Sequence, residues 1–244
     1  MSKGGNFMLA SGRPVKSLER AYRRVSPNCP CAVLNGAGLY DFETRSFIWK
    51  QSIDTAGKDF VRLMIKKYHK LFRSLDVAVF GEKNVYIVKA GAMSLGQVLY
   101  DRNVFTVTSV DKIPEDDWLK VIFWSNPITI SKLRRDIEAE PGAGTFMATS
   151  PFTIEMCAAG VHKGTAVLKM AQMKGIENEK IAAIGDYYND WDMLKAVGVP
   201  ACAGQAPSDL RKICSLVACH CNKGCVAELI GFRMSGAVRA PAGI

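Results

Sequence analysis

The amino-acid sequence predicts an α/β protein: a doubly wound parallel, Rossmann-like core interrupted by an inserted α+β domain. Three observations carry this. At both ends of the chain, short apolar runs alternate with helical patterns, as they do in βα units. Between residues 54 and 155 the alternation gives way to clustered short strands with occasional helices. Polar clusters follow the apolar runs at Ser11-Gly12-Arg13, Lys163-Gly164 and Gly185-Asp-Tyr-Tyr-Asn-Asp190. Open parallel sheets bind their ligands beyond the carboxyl ends of the strands, where such clusters fall.

The first fifty residues read as strand, helix, strand and hairpin. An apolar strand is expected over Asn6–Ala10. Pro14 suits the first position of a helix whose apolar face is Val15, Leu18, Tyr22 and Val25. Pro27-Asn28 ends it, Cys31–Leu34 gives a buried strand, and Leu39–Lys50 alternates around Glu43-Thr44-Arg45 as a hairpin does. In the middle segment, Phe60, Leu63, Met64, Tyr68 and Leu71 mark an amphipathic helix. Strands are expected at Asp76–Phe80, Asn84–Lys89, Val104–Val110, Leu119–Trp124, Thr145–Ala148 and Phe152–Met156, with helices at Ser94–Tyr100 and Ser131–Glu140. The last third returns to alternation. A helix over Lys163–Lys174 precedes a buried strand at Ile181–Ile184; a helix over Asp190–Val197, a strand at Ala201–Ala203 and a helix at Ser208–Ile213 follow. A Cys-rich strand, Ser215–Cys221, and a helix at Val226–Ile230 close the fold. The expected division is a discontinuous core of residues 1–53 and 156–231, an inserted domain of 54–155 and a flexible tail of 232–244.

Composition narrows the function. The chain has 244 residues, 48% hydrophobic and 23% charged, and no apolar run reaches the roughly 18 residues that span a bilayer. The N-terminal stretch lacks the pattern of a signal peptide, so a cytoplasmic protein without membrane partners is expected. A net charge of +9 suits anionic ligands. The basic residues are scattered, however, and no nucleic-acid-binding motif accompanies them, so no nucleic-acid partner is expected. Cys214, Cys219, Cys221 and Cys225, with His220 among them, invite a metal reading. Their spacings match no standard zinc pattern, and packing is the expected role.

The polar clusters supply the candidate chemistry. Ser11, Gly12 and the N–H groups leading into the first helix can hold a phosphate, and Lys163 can add positive charge to the same anion. Asp186 and Asp190 can hold Mg²⁺ through oxygen ligands with waters retained. Capping alone explains Ser11 well; it explains Gly-Asp-x-x-Asn-Asp poorly, because that turn spends three polar groups.

Taken together, Phe7-Met-Leu-Ala-Ser-Gly-Arg-Pro14, Asn35-Gly-Ala37, Gly160-Val-His-Lys-Gly164 and Gly185-Asp-Tyr-Tyr-Asn-Asp-Trp-Asp-Met-Leu194 resemble the haloacid dehalogenase superfamily, specifically its Cof-type sugar-phosphate phosphatases. The resemblance continues through Gly198-Val199 and Ala203-Gly-Gln-Ala206 to Gly224-Cys-Val-Ala227. It implies a Mg²⁺-dependent phosphatase of small phosphorylated metabolites. Ser11 would bind phosphate and Lys163 would be catalytic, stabilising the nucleophile and the transferring group. Asp186 and Asp190 would organise Mg²⁺, Asn189 would support the phosphate site, and residues 54–155 would be a substrate-selecting cap. Gln205 departs from the family's usual Asn, and only a local adjustment is expected there.

A larger departure lies at the start. The family's first motif, D-x-D-G-T, sits on its first strand and supplies both the nucleophile and the general acid–base. In this chain the first acidic residue is Glu19, the first Asp is Asp41, and the only D-x-D is Asp190-Trp191-Asp192. About thirty residues, one βα unit, are therefore expected to be absent, the first core strand with them. An N-terminally truncated, inactive phosphatase is the favoured expectation, with a phospho-ligand-binding pseudoenzyme as the alternative.

Overall fold

The computed structural model describes residues 4–71 and 75–234. The chain divides into two compact units, Met1–His162 and Lys163–Ile244.

The first unit opens with α1 (Val15–Val25) and a three-stranded antiparallel sheet of β1 (Cys31–Val33), β2 (Gly38–Asp41) and β3 (Ser46–Lys50). The expected strand over Asn6–Ala10 shrinks to one parallel bridge between Ala10 and Ala32. The cause is a partner further along the chain: the Asn28 side chain accepts from Phe7 N at 2.7 Å and donates to Gly5 O at 3.0 Å. A side chain thus takes up backbone groups that a strand neighbour would otherwise satisfy. Pro14 is the N-cap of α1 rather than its first residue, a shift of one position.

The chain then builds a six-stranded mixed sheet in the order β6-β5-β4-β7-β9-β8. These strands are β4 (Asp76–Phe80), β5 (Val85–Lys89), β6 (Phe105–Val107), β7 (Lys120–Trp124), β8 (Thr145–Ser150) and β9 (Thr153–Cys157), and only the β5–β6 pair is parallel. Its helices are α2 (Thr55–Leu71), α3 (Ala92–Tyr100) and α4 (Pro127–Ala139). α2 buries Phe60, Val61, Met64 and Tyr68, but leaves Leu63 54% exposed. Val61 replaces Leu63 on the inner face, and the side chain of Leu71 lies outside the described residues. α4 starts four residues before the expected Ser131, because the Asn126 side chain accepts from Thr129 N at 2.9 Å and Pro127 fits the first turn. Every residue of the central strands β4 and β7 is buried. One hydrophobic cluster runs from Leu18 and Val33 through Trp118 and Phe123 to Val161.

The second unit is the parallel part. α5 (Lys163–Met173) precedes β10 (Ala182–Gly185), β11 (Val199–Cys202) and β12 (Leu216–Val217), which pair in that order in parallel, so that β10 forms an edge of this sheet. α6 (Trp191–Ala196), α7 (Ser208–Lys212) and α8 (Cys225–Met234) complete it. The Cys-rich strand is shorter than expected. Ala218 N still donates to Cys202 O of β11 at 2.8 Å, but the next donors turn elsewhere, Cys219 N to Glu228 Oε2 at 2.7 Å and Cys221 N to Gln205 Oε1 at 3.0 Å. α8 carries Phe232–Met234, which the sequence assigns to a tail; the rest of that tail, from 235 on, lies outside the described residues. Among the described residues no helix is long and apolar enough to cross a membrane.

Candidate phosphate and metal site

In the second unit, four of the residues singled out by sequence gather beyond the carboxyl end of β10. The strand must end in glycine: a Cβ on Gly185 would stand 2.4 Å from the Cβ of Asp190, whose side chain folds back over the strand end. The turn through Tyr188–Asp190, which includes half-buried Asn189, brings Asp190 round to do so. Its Oδ2 accepts from Asp186 N at 3.0 Å and from Tyr187 N at 3.4 Å. Its Oδ1 accepts from Lys163 Nζ at 2.6 Å, and the two side chains are only 8% and 7% exposed. Lys163 is the first residue of α5, where the helix dipole disfavours a cation. It is therefore not placed for helix stability; the carboxylate of Asp190 offsets both the dipole and the burial.

Asp186 differs in kind. It is exposed, and its Oδ2 accepts from Gln205 Nε2 at 3.3 Å while Gln205 Oε1 accepts from Cys221 N. The residue that departs from the family's usual Asn thus bridges Asp186 to the loop before α8. Asp186 and Asp190 are the oxygen donors here. Among the described residues no group of three or more His, Cys, Asp or Glu side chains could hold a metal ion.

Ser11 and Gly12 belong to the first unit. Ser11 Oγ accepts from Arg13 N at 3.2 Å, Ser11 N donates to Ala32 O at 2.9 Å, and Asn35 N donates to Ser11 O at 3.1 Å. Ser11 is thus not the cap of α1. A Cβ on Gly12 would meet Asn35 Oδ1 at 2.4 Å, so that only glycine fits against the fully buried Asn35. Gly12 O accepts from Lys120 Nζ at 2.8 Å, and Lys120 also donates to Glu155 Oε2 at 3.0 Å. Asn35 Nδ2 donates to the same Glu155 oxygen at 2.5 Å. This buried network from β7 and β9 holds the turn.

The profile of the haloacid dehalogenase-like hydrolases matches residues 1–230. The chain belongs to that family. It is 28% identical to YxeH of Bacillus subtilis over 206 residues, covering 81% of this chain and 74% of that one. It is 20% identical to the pyridoxal phosphate phosphatase YbhA of Escherichia coli over 235 residues, 93% and 85% of the two chains. The solved structure of a haloacid dehalogenase subclass IIB sugar phosphatase superposes with a TM-score of 0.78 at 18% identity, covering 96% of this chain and 87% of that one. At that identity the likeness speaks for the fold alone, a parallel core with a cap.

Six of the eight cysteines of this haloacid dehalogenase-like chain are buried, while Cys219 is half-buried and Cys221 is exposed. All eight are free thiols. Burial pushes Cys214 up to about 12 and raises Cys202 and Cys225; Cys219 is raised first by its hydrogen bond to Glu228. Metals take thiolates, and burial disfavours the thiolate at Cys202, Cys214 and Cys225. Elemental analysis of the purified protein is expected to find no stoichiometric zinc or iron, with no change in Cys225→Ala. One metal per chain, lost in that variant, would contradict this.

Proposed function

We propose that the chain forms the phosphate- and Mg²⁺-binding part of a phosphatase acting on small phosphorylated metabolites, sugar phosphates foremost. The observation that supports this most is the buried Lys163–Asp190 pair at the end of β10, with the carboxylate of Asp186 beside it in solvent. Mg²⁺ is commonly held by one or two carboxylates, retained waters and a substrate phosphate, and the pair Asp186 and Asp190 fits that donor set. When bound, the ion neutralises charge on the phosphoryl oxygens. Lys163 keeps Asp190 oriented and adds positive charge to the phosphoryl group. In the first unit Ser11 Oγ and the N–H groups of its turn bind phosphate, and in the second Asn189 supports the phosphoryl group beside Lys163. In this reading residues 1–53 and 156–231 are the core, and 54–155 the cap that selects the substrate. The protein works in the cytoplasm, where its thiols stay reduced.

The chain contains no D-x-D-G-T aspartate pair. In this reading it holds a phosphorylated ligand without cleaving it, and hydrolysis requires that pair to be supplied from outside these residues. Calorimetric titration with Mg²⁺ tests the binding half. Asp186→Asn is expected to weaken Mg²⁺ by about tenfold or more, as loss of one of two charged ligands should, whereas Ser11→Ala leaves Mg²⁺ affinity unchanged and weakens inorganic phosphate. Mg²⁺ affinity indifferent to Asp186→Asn overturns the assignment. A D-x-D-G-T strand–helix unit fused ahead of Met1 is expected to bring Mg²⁺-dependent turnover.

A further inference from the structure

A cavity of about 430 Å³ lies in the first unit between α1, the β2–β3 turn and the β4–β5 turn, and Ser11 and Gly12 do not line it. Its volume is in the range of about 300–1,000 Å³ that accepts small organic ligands. Tyr22, stacked on Phe42 at 4.3 Å between centroids, forms an apolar wall together with Phe80. The remaining lining is polar, and two features of it point to a ligand.

The first is unbalanced charge. Lys16, Arg23, Arg45 and Lys83 face two carboxylates, Glu19 and Glu82. Both carboxylates are already engaged, Glu19 by Arg23 at 2.7 Å and Glu82 by Lys50 at 2.7 Å. The hydrogen bond from Arg23 holds Glu19 below the usual carboxylate range, so it stays charged and paired. Among the described residues Arg45 and Lys83 make no ion pair. The second is its contrast with the apolar wall of Tyr22, Phe42 and Phe80, which suits the carbon frame of an organic anion rather than an inorganic one.

We propose that this cavity binds a small organic anion, at a site separate from the Ser11–Gly12 turn and independent of the phosphatase reading. The anionic group lies against Arg45 and Lys83, and the carbon frame lies against Tyr22 and Phe80. Because the lining joins α1 and the β2–β3 turn to a turn of the six-stranded sheet, an occupant bridges these two parts of the unit.

The test uses the whole chain carrying Ser11→Ala, which weakens the other anion site, and ribose 5-phosphate as the probe in titration calorimetry. Saturable binding is expected, about tenfold or more tighter than inorganic phosphate or free ribose. Adding Arg45→Gln and Lys83→Gln is expected to weaken it about tenfold or more at an unchanged melting temperature, since both side chains are exposed. Three results overturn the proposal: no saturable binding, inorganic phosphate binding as tightly as ribose 5-phosphate, or an affinity indifferent to the two substitutions.

Discussion

Incubated with p-nitrophenyl phosphate and Mg²⁺, the 244-residue chain is expected to release nitrophenol no faster than buffer does. In this family a carboxylate attacks phosphorus, and neither Asp41 nor the pair Asp190 and Asp192 is placed to replace it. Asp41, the first, ends β2, and its Oδ1 accepts from Glu43 N at 2.8 Å within the hairpin turn. Asp190 spends one oxygen on Lys163 and the other on two backbone N–H groups. Asp192 is in the first turn of α6. The remaining groups position and polarise, and loss of a covalent nucleophile from such a set costs on the order of a millionfold in rate. Steady-state assays with Asp186→Ala as the blank measure it. Turnover at roughly 1 per second that disappears in the blank would show that a nucleophile is present after all.

Lys120→Met is expected to cost about 3–5 kcal/mol of stability, as removing one member of a buried ion pair does. Lys120 is 2% exposed, and its ammonium donates to Glu155 and to Gly12 O and lies 5.2 Å from the Phe80 ring centroid. Without it, the carboxylate of Glu155, itself 14% exposed, keeps the hydrogen bond from the Asn35 amide but loses its ammonium partner. Lys120→Met with Glu155→Gln is expected to recover a large part of the loss, because no uncompensated charge then remains. Urea denaturation followed by tryptophan fluorescence reads both, since Trp118 and Trp124 lie in and beside β7. A single-variant loss below about 1 kcal/mol would mean that solvent reaches Glu155 and screens it.

The elements that were legible in the sequence are those with a local signal. β4 matches its apolar run residue for residue, and α5 starts at the expected Lys163 because a helix after a Gly-rich turn is announced by its own residues. The polar turn after β10 was legible for the same reason: Gly185, Asp186 and Asp190 lie within one short stretch. What failed to show depends on partners distant in sequence. Nothing near Asn6–Ala10 reveals that Asn28 will take its backbone groups. Leu63 and Val61 are equally apolar, and only packing decides which faces inward. Lys120 and Glu155 look like ordinary surface charges on two strands until β7 pairs with β9 and carries both to the Ser11–Gly12 turn. Gln205 read as a small deviation, although it links Asp186 to Cys221.

The bond from Lys120 to Gly12 spans 108 residues, and this separation has a kinetic consequence. Closing a loop costs entropy that rises with its length, by about 0.6 kcal/mol for each doubling. The β4–β5 hairpin, whose paired residues begin with Phe80 and Val85, closes cheaply and early. β7 must then find β4, and β9 must find β7, before Lys120 and Glu155 stand together. The Ser11–Gly12 turn is therefore expected among the late steps of folding: it waits for a strand 108 residues further along the chain before it takes its final form.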